Sequence, residues 1–214
     1  MEPRTRRMLT TTGLAAGATA AAAVWWRANP SACPYNQRFW VQAPHPFITR
    51  ARLREALAPQ PGETLLEIGP GTGYYSLPVA EWLAPGGTLH VLDVQQEMLE
   101  HTLRRATDRA LRNVVPTHGD ARELPYADAS VDGAYLVTVL GEVPDQDAAL
   151  AELRRVVRPG GRVVVGELVG DPHVVLPAAL RERAERAGLS WERRVGPPVG
   201  YFGVLRVPEG ARSG

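Results

Sequence analysis

The segment from Thr64 to Tyr75, TLLEIGPGTGYY, constrains the fold more than any other part of the 214 residues. An apolar run typical of a β-strand leads directly into three glycines at alternate positions, Gly69, Gly71 and Gly73. Glycine takes positive φ angles without steric cost and lets a ligand approach the backbone, while the start of a following helix presents unpaired N–H groups. The segment therefore predicts a strand, a loop that binds a polar or anionic group of a nucleotide-type cofactor, and a helix.

The glycine spacing separates two classes of cofactor. The loop reads G-x-G-x-G, whereas the dinucleotide fingerprint G-x-G-x-x-G would need a glycine at Tyr74, so the loop disfavours NAD. A second apolar segment, Leu89–Val94, contains Asp93 at its end. An acid at the end of the second strand can accept both hydroxyl groups of a ribose, and that geometry alone fits NAD and S-adenosylmethionine equally.

Motifs farther along the chain favour S-adenosylmethionine over NAD. Gly119-Asp120-Ala121 follows a strand-like segment, where Asp120 and the backbone after it could contact the edge of an adenine. Residues 126–137 supply a fourth strand, and residues 153–167 read as a helix that ends on Pro-Gly-Gly before a fifth strand.

The periodicity of apolar residues predicts alternating strands and helices, and hence an α/β fold with a mainly parallel sheet between helices. A short connection, residues 196–200, predicts a final hairpin and an antiparallel last strand. The predicted helices are 47–57, 72–84, 95–111, 146–157 and 174–187, and the predicted strands are 64–69, 88–93, 113–118, 131–137, 162–168, 190–195 and 200–207.

The chain resembles the class I S-adenosylmethionine-dependent methyltransferases, most closely the small-molecule branch of ubiquinone and menaquinone C-methyltransferase-like enzymes. Five motifs between about residues 50 and 170 carry the resemblance, in the family's order and spacing. They are Leu66-Glu-Ile-Gly-Pro-Gly-Thr-Gly73, Asp93 with Met98 and Leu99, Gly119-Asp120-Ala121, Leu124-Pro125 before Ser130-Val-Asp132, and Arg158-Pro-Gly-Gly161.

The resemblance implies a Rossmann-like, seven-stranded methyltransferase sheet, S-adenosyl-L-methionine as cofactor, a small-molecule methyl acceptor and no metal. It also implies a role for each matching residue. Glu67 and the glycines should hold the methionine part and its loop, Asp93 the ribose, Met98 the face of the adenine, and Asp120 with Ala121 its edge.

The residues that bind the methyl acceptor vary within such a family, so the resemblance does not identify them. We choose candidates by their position in the predicted fold alone. Glu142, Asp145, Glu167, His173 and Tyr201 lie near predicted strand ends. We take Glu142, His173 and Tyr201 as candidate catalytic residues, whereas Asp145 is better explained as the cap of the helix that begins at Gln146. His118 lies on a strand and is interpreted as a packed histidine.

Two other function classes stay open. An NAD-dependent oxidoreductase is disfavoured by Tyr74 and by the lack of a Tyr-x-x-x-Lys pair, because all 24 basic residues are arginine. The absence of lysine also excludes a P-loop lysine and a Schiff-base lysine. The non-enzyme alternative is a cofactor-binding or assembly protein that kept the same fold.

Charge and cysteine content exclude or disfavour further kinds of site and function. The net charge of +1 divides into +3 for the first 33 residues and −2 for the remainder, so the body of the chain lacks the basic excess typical of nucleic-acid binding. Cys33 is the only cysteine, which excludes a disulfide within one chain and a cysteine-based zinc site. The length suits one domain with a full core.

The amino terminus is interpreted as an alanine-rich leader, residues 1–33, before a methyltransferase domain over 34–214. Residues 8–26 are uncharged and follow a pair of arginines that resembles a twin-arginine export signal. A disordered leader, membrane association and export all remain alternatives, although a cytoplasmic enzyme is expected because its cofactor is made there. The aromatic residues Tyr35, Phe39 and Trp40 begin a predicted lid or sheet cover over about 34–57.

Overall fold

The computed structural model describes residues 31–32 and 46–209 of the chain. Most of the predicted leader and the aromatic segment 34–45 lie outside the described residues, so the domain boundary at residue 33 stays a prediction. Among the residues that are described, no helix combines the length and hydropathy needed to cross a membrane.

A seven-stranded sheet forms the centre of the fold, with the strand order β3-β2-β1-β4-β5-β7-β6. Strands β1 to β5 pair in parallel, and β7 is antiparallel to both β5 and β6. This confirms the predicted methyltransferase sheet with an antiparallel last strand. The strands are β1 Thr64–Ile68, β2 Thr88–Asp93, β3 Val114–His118, β4 Val131–Val137, β5 Val157–Leu168, β6 Ser190–Val195 and β7 Gly200–Arg206.

Five α-helices and one 3-10 helix connect and cover these strands in the described residues. Successive strand residues face opposite sides of the sheet, so Leu65 contributes to one apolar core and Leu66 to the other. Helices α1 to α3 cover the first face, and α4 and α5 cover the second. The helices are α1 Arg50–Leu57, α2 Ser76–Trp82, α3 Gln96–Asp108, the 3-10 helix Leu140–Glu142, α4 Gln146–Val156 and α5 Pro177–Arg186.

The structure corrects three details of the sequence analysis. Helix α2 begins at Ser76 rather than at residue 72, because the residues before it form turns. Strand β5 begins at Val157, five residues before the predicted start at 162, with a register shift against β4 between Val131 and Gly133. His118 is exposed on the edge strand β3, where its Nε2 lies 2.9 Å from the Val94 carbonyl oxygen, and is not a packed histidine.

A buried ion pair joins α1, β1 and β5. Two guanidinium nitrogens of Arg162 donate to the two carboxylate oxygens of Glu63, at 2.8 and 2.5 Å, and Nε donates to the Leu57 carbonyl oxygen at 2.5 Å. Only 7% of Arg162 is exposed. Although burial raises the pKa of Glu63, the hydrogen bonds from Arg162 and the Gln60 backbone outweigh it and hold that pKa below its ordinary value. The last turn of α1 is thereby fixed to the start of β1.

Replacing Arg162 by methionine should lower the free energy of unfolding by about 3 kcal/mol, the lower end of the range for a fully buried pair, because the part-buried Glu63 is left without its cation. Methionine keeps the apolar part of the side chain, so the loss reports on the guanidinium group. Urea unfolding followed by circular dichroism measures the change. The control is Arg186→Ala, whose exposed ion pairs with Glu182 and Asp147 should contribute less than about 1 kcal/mol. Equal losses in the two variants would contradict this assignment.

Candidate cofactor and acceptor site

A cavity lies at the carboxyl ends of β1, β2 and β4, the edge where parallel α/β sheets bind ligands. Strand β1 lies between β2 and β4, and its last residue, Ile68, pairs with Leu92 on one side and Leu136 on the other. The loops that follow these three strands therefore converge. Described residues from four loops line the cavity: Ile68, Gly69 and Gly71; Leu92, Asp93, Val94, Gln95 and Met98; Asp120, Ala121 and Arg122; and Val137, Thr138, Val139, Glu142, Val143 and Pro144, together with Ser31 and Ala32.

The glycine loop has the backbone conformation that its sequence predicts. The φ angles of Gly69, Gly71 and Gly73 are +67°, +54° and +76°, in the left-handed region that a β-branched residue rarely adopts. A Cβ atom at Gly69 would also lie 2.5 Å from Cγ2 of Val139. The first glycine is therefore required both by its own backbone and by the close approach of the loop that follows β4.

Side chains from two helices hold this loop from outside the cavity. Arg105 of α3 donates to the Thr72 carbonyl oxygen at 2.5 Å, and Thr102 of the same helix donates to the Gly71 carbonyl oxygen at 3.1 Å. Arg50 of α1 donates to the Tyr74 carbonyl oxygen at 3.1 Å. Because its carbonyl groups are bound on the outer side, the loop is fixed before any ligand arrives.

Asp93 is the last residue of β2, and its carboxylate lines the cavity although only 7% of the residue is exposed. The backbone N–H of Gln95 donates to its Oδ1 at 2.9 Å. Burial raises the pKa of Asp93 to about 6, while the backbone N–H groups of Gln95, Val94 and Gly71 act in the opposite direction. The Asp93 carboxylate can therefore accept further hydrogen bonds from a ligand in the cavity.

Glu67 lies on the opposite face of β1 from Ile68, in a buried polar cluster with Ser76 and Tyr135. Burial raises the pKa of Glu67 to about 7; the two hydroxyl groups lower it, and the charge of Asp93 raises it further. Neither hydroxyl oxygen, nor Oε2 of Glu67, reaches full hydrogen-bond geometry with a described residue. Unpaired buried polar atoms of this kind are rare in folded proteins and call for a water, an ion or a function.

The motif Gly119-Asp120-Ala121, predicted to contact the adenine edge, is held by an ion pair that the sequence analysis did not anticipate. The Arg122 guanidinium donates to both carboxylate oxygens of Asp120, with Nη2 to Oδ2 at 2.6 Å, and the Arg122 backbone N–H donates to Oδ1 at 2.9 Å. The contacts to Arg122 hold the pKa of Asp120 below its ordinary value. Ala121, between the two, is buried at the cavity wall.

The far wall of the cavity follows β4 and is mainly apolar, with Val137, Val139 and Val143 around Glu142. Thr138 has a φ angle of +55°, which is uncommon for any residue other than glycine, and its backbone N–H donates to the Gly166 carbonyl oxygen at 2.8 Å. Strained residues of this kind cluster at functional sites. The wall combines an apolar surface with one carboxylate.

Two buried side chains hold the loop behind that wall. The Tyr201 hydroxyl donates to the Val175 carbonyl oxygen at 2.6 Å, and the Val175 N–H donates to Oε2 of Glu167 at 3.1 Å. Glu167 and Tyr201 pair directly across β5 and β7. Burial raises the pKa of Glu167 to about 8, and the charges of Asp171 and Glu142 raise it further.

Comparison with known proteins agrees with this geometry. Residues 66–165 match a family model described as a methyltransferase domain. An S-adenosylmethionine-dependent methyltransferase from Aquifex aeolicus has the same fold, with a TM-score of 0.74 and 20% identity over 82% of this chain and 98% of that one. A demethylmenaquinone methyltransferase from Oceanobacillus iheyensis is 38% identical over 105 residues, which are 49% of this chain and 44% of that protein.

Residues 66–165 therefore form a methyltransferase domain, and the chain has the fold of S-adenosylmethionine-dependent methyltransferases. A protein of Streptomyces fradiae in transposon TN4556 is also similar, at 42% identity over 113 residues, 53% of this chain and 32% of that protein. This chain thus spans less than half the length of these curated relatives.

The predicted site residues fall into three groups. The cavity lining includes six of the eight predicted cofactor residues and one of the three candidate catalytic residues, Glu142 on the far wall. The six are Gly69, Gly71, Asp93, Met98, Asp120 and Ala121. Glu67, behind the glycine loop, and Gly73, at its end, are not part of the lining. Their roles stay predictions.

The remaining acceptor-side candidates lie away from the lining. Tyr201 is buried, with its hydroxyl bound to Val175, and His173 is half-buried in the loop that packs on the 3-10 helix. Their catalytic roles also stay predictions. Asp145 caps α4, as the sequence predicts, by accepting from the Ala148 N–H at 2.9 Å.

The sequence analysis missed Arg122, Thr138 and the partners of Glu67. Arg122 follows Asp120 at a spacing typical of an Asx turn, which is a signal that could have been used. Thr138 and the contacts of Ser76 and Tyr135 with Glu67 have no local sequence signal. Among the described residues, no group of three or more His, Cys, Asp or Glu side chains is arranged to hold a metal ion.

Replacing Glu167 by glutamine should flatten the upper part of the pH dependence of stability. The pKa of Glu167 is about 8 when folded and near 4.5 in the unfolded chain, so the folded state binds this proton more tightly. The free energy of unfolding of the wild type therefore falls as the pH rises from about 4.5 to 8. Glutamine cannot ionise, so between pH 4.5 and pH 9 the variant should avoid a loss on the order of 5 kcal/mol, at about 1.4 kcal/mol for each unit between the two pKa values.

Urea unfolding at pH 6, 7.5 and 9 measures this difference. Glu67 and Asp93 also have raised pKa values, about 7 and 6. The free energy of unfolding should therefore still fall at lower pH in both the wild type and Glu167→Gln. Glu182→Gln, an exposed change on α5, is the control and should leave the profile unchanged. An equal fall in the free energy of unfolding between pH 6 and 9 in wild type and Glu167→Gln would refute the assignment.

Proposed function

We propose that this chain binds S-adenosylmethionine and transfers its methyl group to an apolar small-molecule acceptor. The observation that carries the proposal is the buried carboxylate of Asp93, which lines the cavity between the glycine loop and Ala121. A carboxylate in that place accepts the two hydroxyl groups of a ribose. The match of residues 66–165 to a methyltransferase domain supports the same cofactor.

The residues present fit this cofactor on structural grounds. Asp93 keeps hydrogen-bond capacity on the cavity side, and the apolar side chain of Met98 lies beside it for the face of a base. Behind the loop, Oε2 of Glu67 is buried without a full hydrogen bond, so a positive ammonium group nearby would stabilise its charge. The site therefore offers a carboxylate for the ribose, an apolar contact for the base and negative charge for the amino acid part.

When bound, S-adenosylmethionine supplies a methyl group that is already activated on a sulfonium. The protein then needs to align an acceptor with that methyl group and to exclude water. The apolar wall of Val137, Val139 and Val143 excludes water, and the fixed glycine loop sets the direction of approach. Glu142 is the candidate catalytic residue that lines the cavity, so we assign to it the removal of a proton from acceptors that must lose one.

We propose an acceptor of the demethylmenaquinone kind. The relative from Oceanobacillus iheyensis is named for that reaction, and the far wall of the cavity offers an apolar surface beside one carboxylate. Such a surface suits an aromatic ring with an ionisable hydroxyl group. His173 and Tyr201 would act behind this wall rather than on the acceptor itself.

The proposal is tested by methyl transfer from S-adenosylmethionine labelled on its methyl group. The purified protein is incubated with a reduced demethylmenaquinone analogue, and label in the organic extract is measured. Label transfer supports the proposal. Cofactor binding without transfer to the analogue or to any component of a source lysate would favour the alternative of a non-catalytic binding protein, and binding of NAD in place of S-adenosylmethionine would favour the oxidoreductase.

Asp93→Ala should weaken binding of S-adenosylmethionine by about 1.5 to 3 kcal/mol, the range for hydrogen bonds to a charged partner. Isothermal titration calorimetry measures the dissociation constant. The matched control is Asp108→Ala, which removes an exposed acid at the end of α3 and should leave the constant unchanged. An unchanged constant in folded Asp93→Ala would exclude the ribose role.

Gly71→Val should abolish cofactor binding, because valine disfavours the φ angle of +54° and fills space at the cavity. The melting temperature should fall only modestly, since the loop lies at the surface of the cavity and outside both apolar cores. Calorimetry and thermal unfolding together separate the two effects. The control is Gly170→Val, which also has a positive φ angle but meets no atom within 4 Å of its Cβ position; binding should persist there.

A further inference from the structure

The loop that follows β5 lies with its backbone directly against the 3-10 helix that ends on Glu142. Gly141, the middle residue of that helix, is buried. A Cβ atom at Gly141 would overlap the His173 carbonyl oxygen and lie 2.6 Å from the His173 carbonyl carbon. Because Gly141 has no side chain, the two backbones meet directly. The position of residues 171–175 therefore limits where the 3-10 helix and Glu142 can lie.

Two buried side chains of the sheet bind the last residue of this loop. The Tyr201 hydroxyl donates to the Val175 carbonyl oxygen at 2.6 Å, and the Val175 N–H donates to Oε2 of Glu167 at 3.1 Å. Tyr201 and Glu167 are each 1% exposed and pair directly across β7 and β5, so their side chains lie on the same face of the sheet. Both backbone polar groups of Val175 are thereby attached to the sheet.

The earlier part of the loop is shaped by bonds to its near neighbours. The Asp171 N–H donates to the Leu168 carbonyl oxygen at 3.1 Å, and the Asp171 carboxylate accepts from the His173 N–H at 2.8 Å. These bonds close a turn and fix its shape, whereas the bonds at Val175 fix its place relative to the sheet. Loss of a bond at Val175 should therefore move the turn as a unit.

The contact with the 3-10 helix reaches the acceptor side of the cavity. Glu142 lines the far wall beside Val139 and Val143. The glycine loop follows β1 and is held by its own hydrogen bonds to side chains of α1 and α3. A displacement of residues 171–175 should therefore change the place of Glu142 and leave cofactor binding nearly unchanged.

We propose that Tyr201 and Glu167 are positioning residues that hold Glu142 where its carboxylate can remove a proton from the methyl acceptor. The inference rests on the proposed function. Both residues act through the 171–175 loop and its backbone contact with the 3-10 helix, and neither is among the described residues that line the cavity. The acceptor's proton passes to Glu142, while the bond from the methyl carbon to the acceptor forms and the bond from that carbon to sulfur breaks.

The test uses variants that each change one bond of this arrangement. Tyr201→Phe removes the hydroxyl group that binds Val175 and keeps the ring in the apolar core. Glu167→Met removes the acceptor of the Val175 N–H, whereas Glu167→Gln keeps a carbonyl oxygen that can accept from it. The matched control is Tyr126→Phe, which removes a part-buried hydroxyl group that donates to Oγ1 of Thr117 on β3 at 2.9 Å.

The first measurement is methyl transfer from labelled S-adenosylmethionine to the reduced demethylmenaquinone analogue. In Tyr201→Phe and Glu167→Met we expect kcat to fall about tenfold, because a small displacement of a reacting group lowers the rate steeply. The dissociation constant of S-adenosylhomocysteine, measured by isothermal titration calorimetry, should change by less than about twofold. Glu167→Gln should keep kcat within about threefold of the wild type, and Tyr126→Phe should change neither quantity.

A double-mutant cycle with Glu142→Gln shows whether the effect passes through Glu142. Glu142→Gln by itself should lower kcat, since it removes the base. If Tyr201 acts by placing that base, Tyr201→Phe should lower kcat by less than about twofold further when residue 142 is already glutamine. A loosened core that acts independently of Glu142 would lower kcat equally in both backgrounds.

Hydrogen–deuterium exchange followed by mass spectrometry tests the backbone contact without any acceptor. In Tyr201→Phe, exchange should become at least about fivefold faster in residues 170–176 and in residues 139–144 together, and stay unchanged in residues 66–75. Tyr126→Phe should leave all three segments unchanged.

Three outcomes would overturn the inference. The first is a wild-type kcat in both Tyr201→Phe and Glu167→Met. The second is an equal effect of Tyr201→Phe on kcat with and without Glu142. The third is faster exchange in residues 170–176 but not in residues 139–144, which would show that the loop does not hold the 3-10 helix.

Failure of the proposed function gives a different result. Wild-type protein that binds no S-adenosylhomocysteine and transfers no methyl group would overturn the proposed function, and the role of Glu142 with it. The exchange measurement would still show whether Tyr201 holds the 3-10 helix in place.

Discussion

The parallel pairing of β1 with both β2 and β4 is the constraint on which the rest of this structure depends. Because Ile68 pairs with Leu92 and with Leu136, the three strands end at nearly the same level. Gly69, directly after β1, and Asp93, the last residue of β2, must then line the same cavity. The Gly69 N–H donates to the Leu92 carbonyl oxygen at 2.8 Å and extends this pairing one residue beyond the strand. The glycine loop is thus a continuation of the sheet.

Charge is distributed unequally between the two ends of that sheet. At the amino end, Arg162 and Glu63 neutralise each other, and the pair fixes helix α1. At the carboxyl end, Glu67 and Asp93 are buried, and burial raises the pKa of both carboxyl groups. One end therefore contributes stability through an ion pair, whereas the other keeps two buried carboxyl groups whose ionised form is costly. Separation of this kind is common in proteins whose function needs strained or charged groups.

The sequence predicted the fold closely because its signals are local and repeated. Alternating apolar segments predicted each strand and α-helix of the described residues but not the 3-10 helix, and the short connection before Gly200 predicted the antiparallel β7. Errors occurred where tertiary contacts override local pattern: α2 starts only at Ser76, after the loop has turned, and β5 starts early because Val157 pairs with Val131. His118 was wrongly interpreted as packed, since a sequence cannot show that β3 is an edge strand.

What the sequence by itself determined is which residues stand at the ends of the strands, where the predicted cofactor residues lie: glycines with positive φ angles, Asp93, and the Asp120-Ala121 turn. Backbone conformation and strand ends follow from local composition, so a single sequence reveals them. Only the tertiary structure decided which charges are compensated. Whether Glu67 faces a cation and whether Tyr201 reaches the cavity depend on neighbours far apart in the chain. Burial, which shifts the pKa of each of these groups, is a property of the whole packed structure and has no local signal in the sequence.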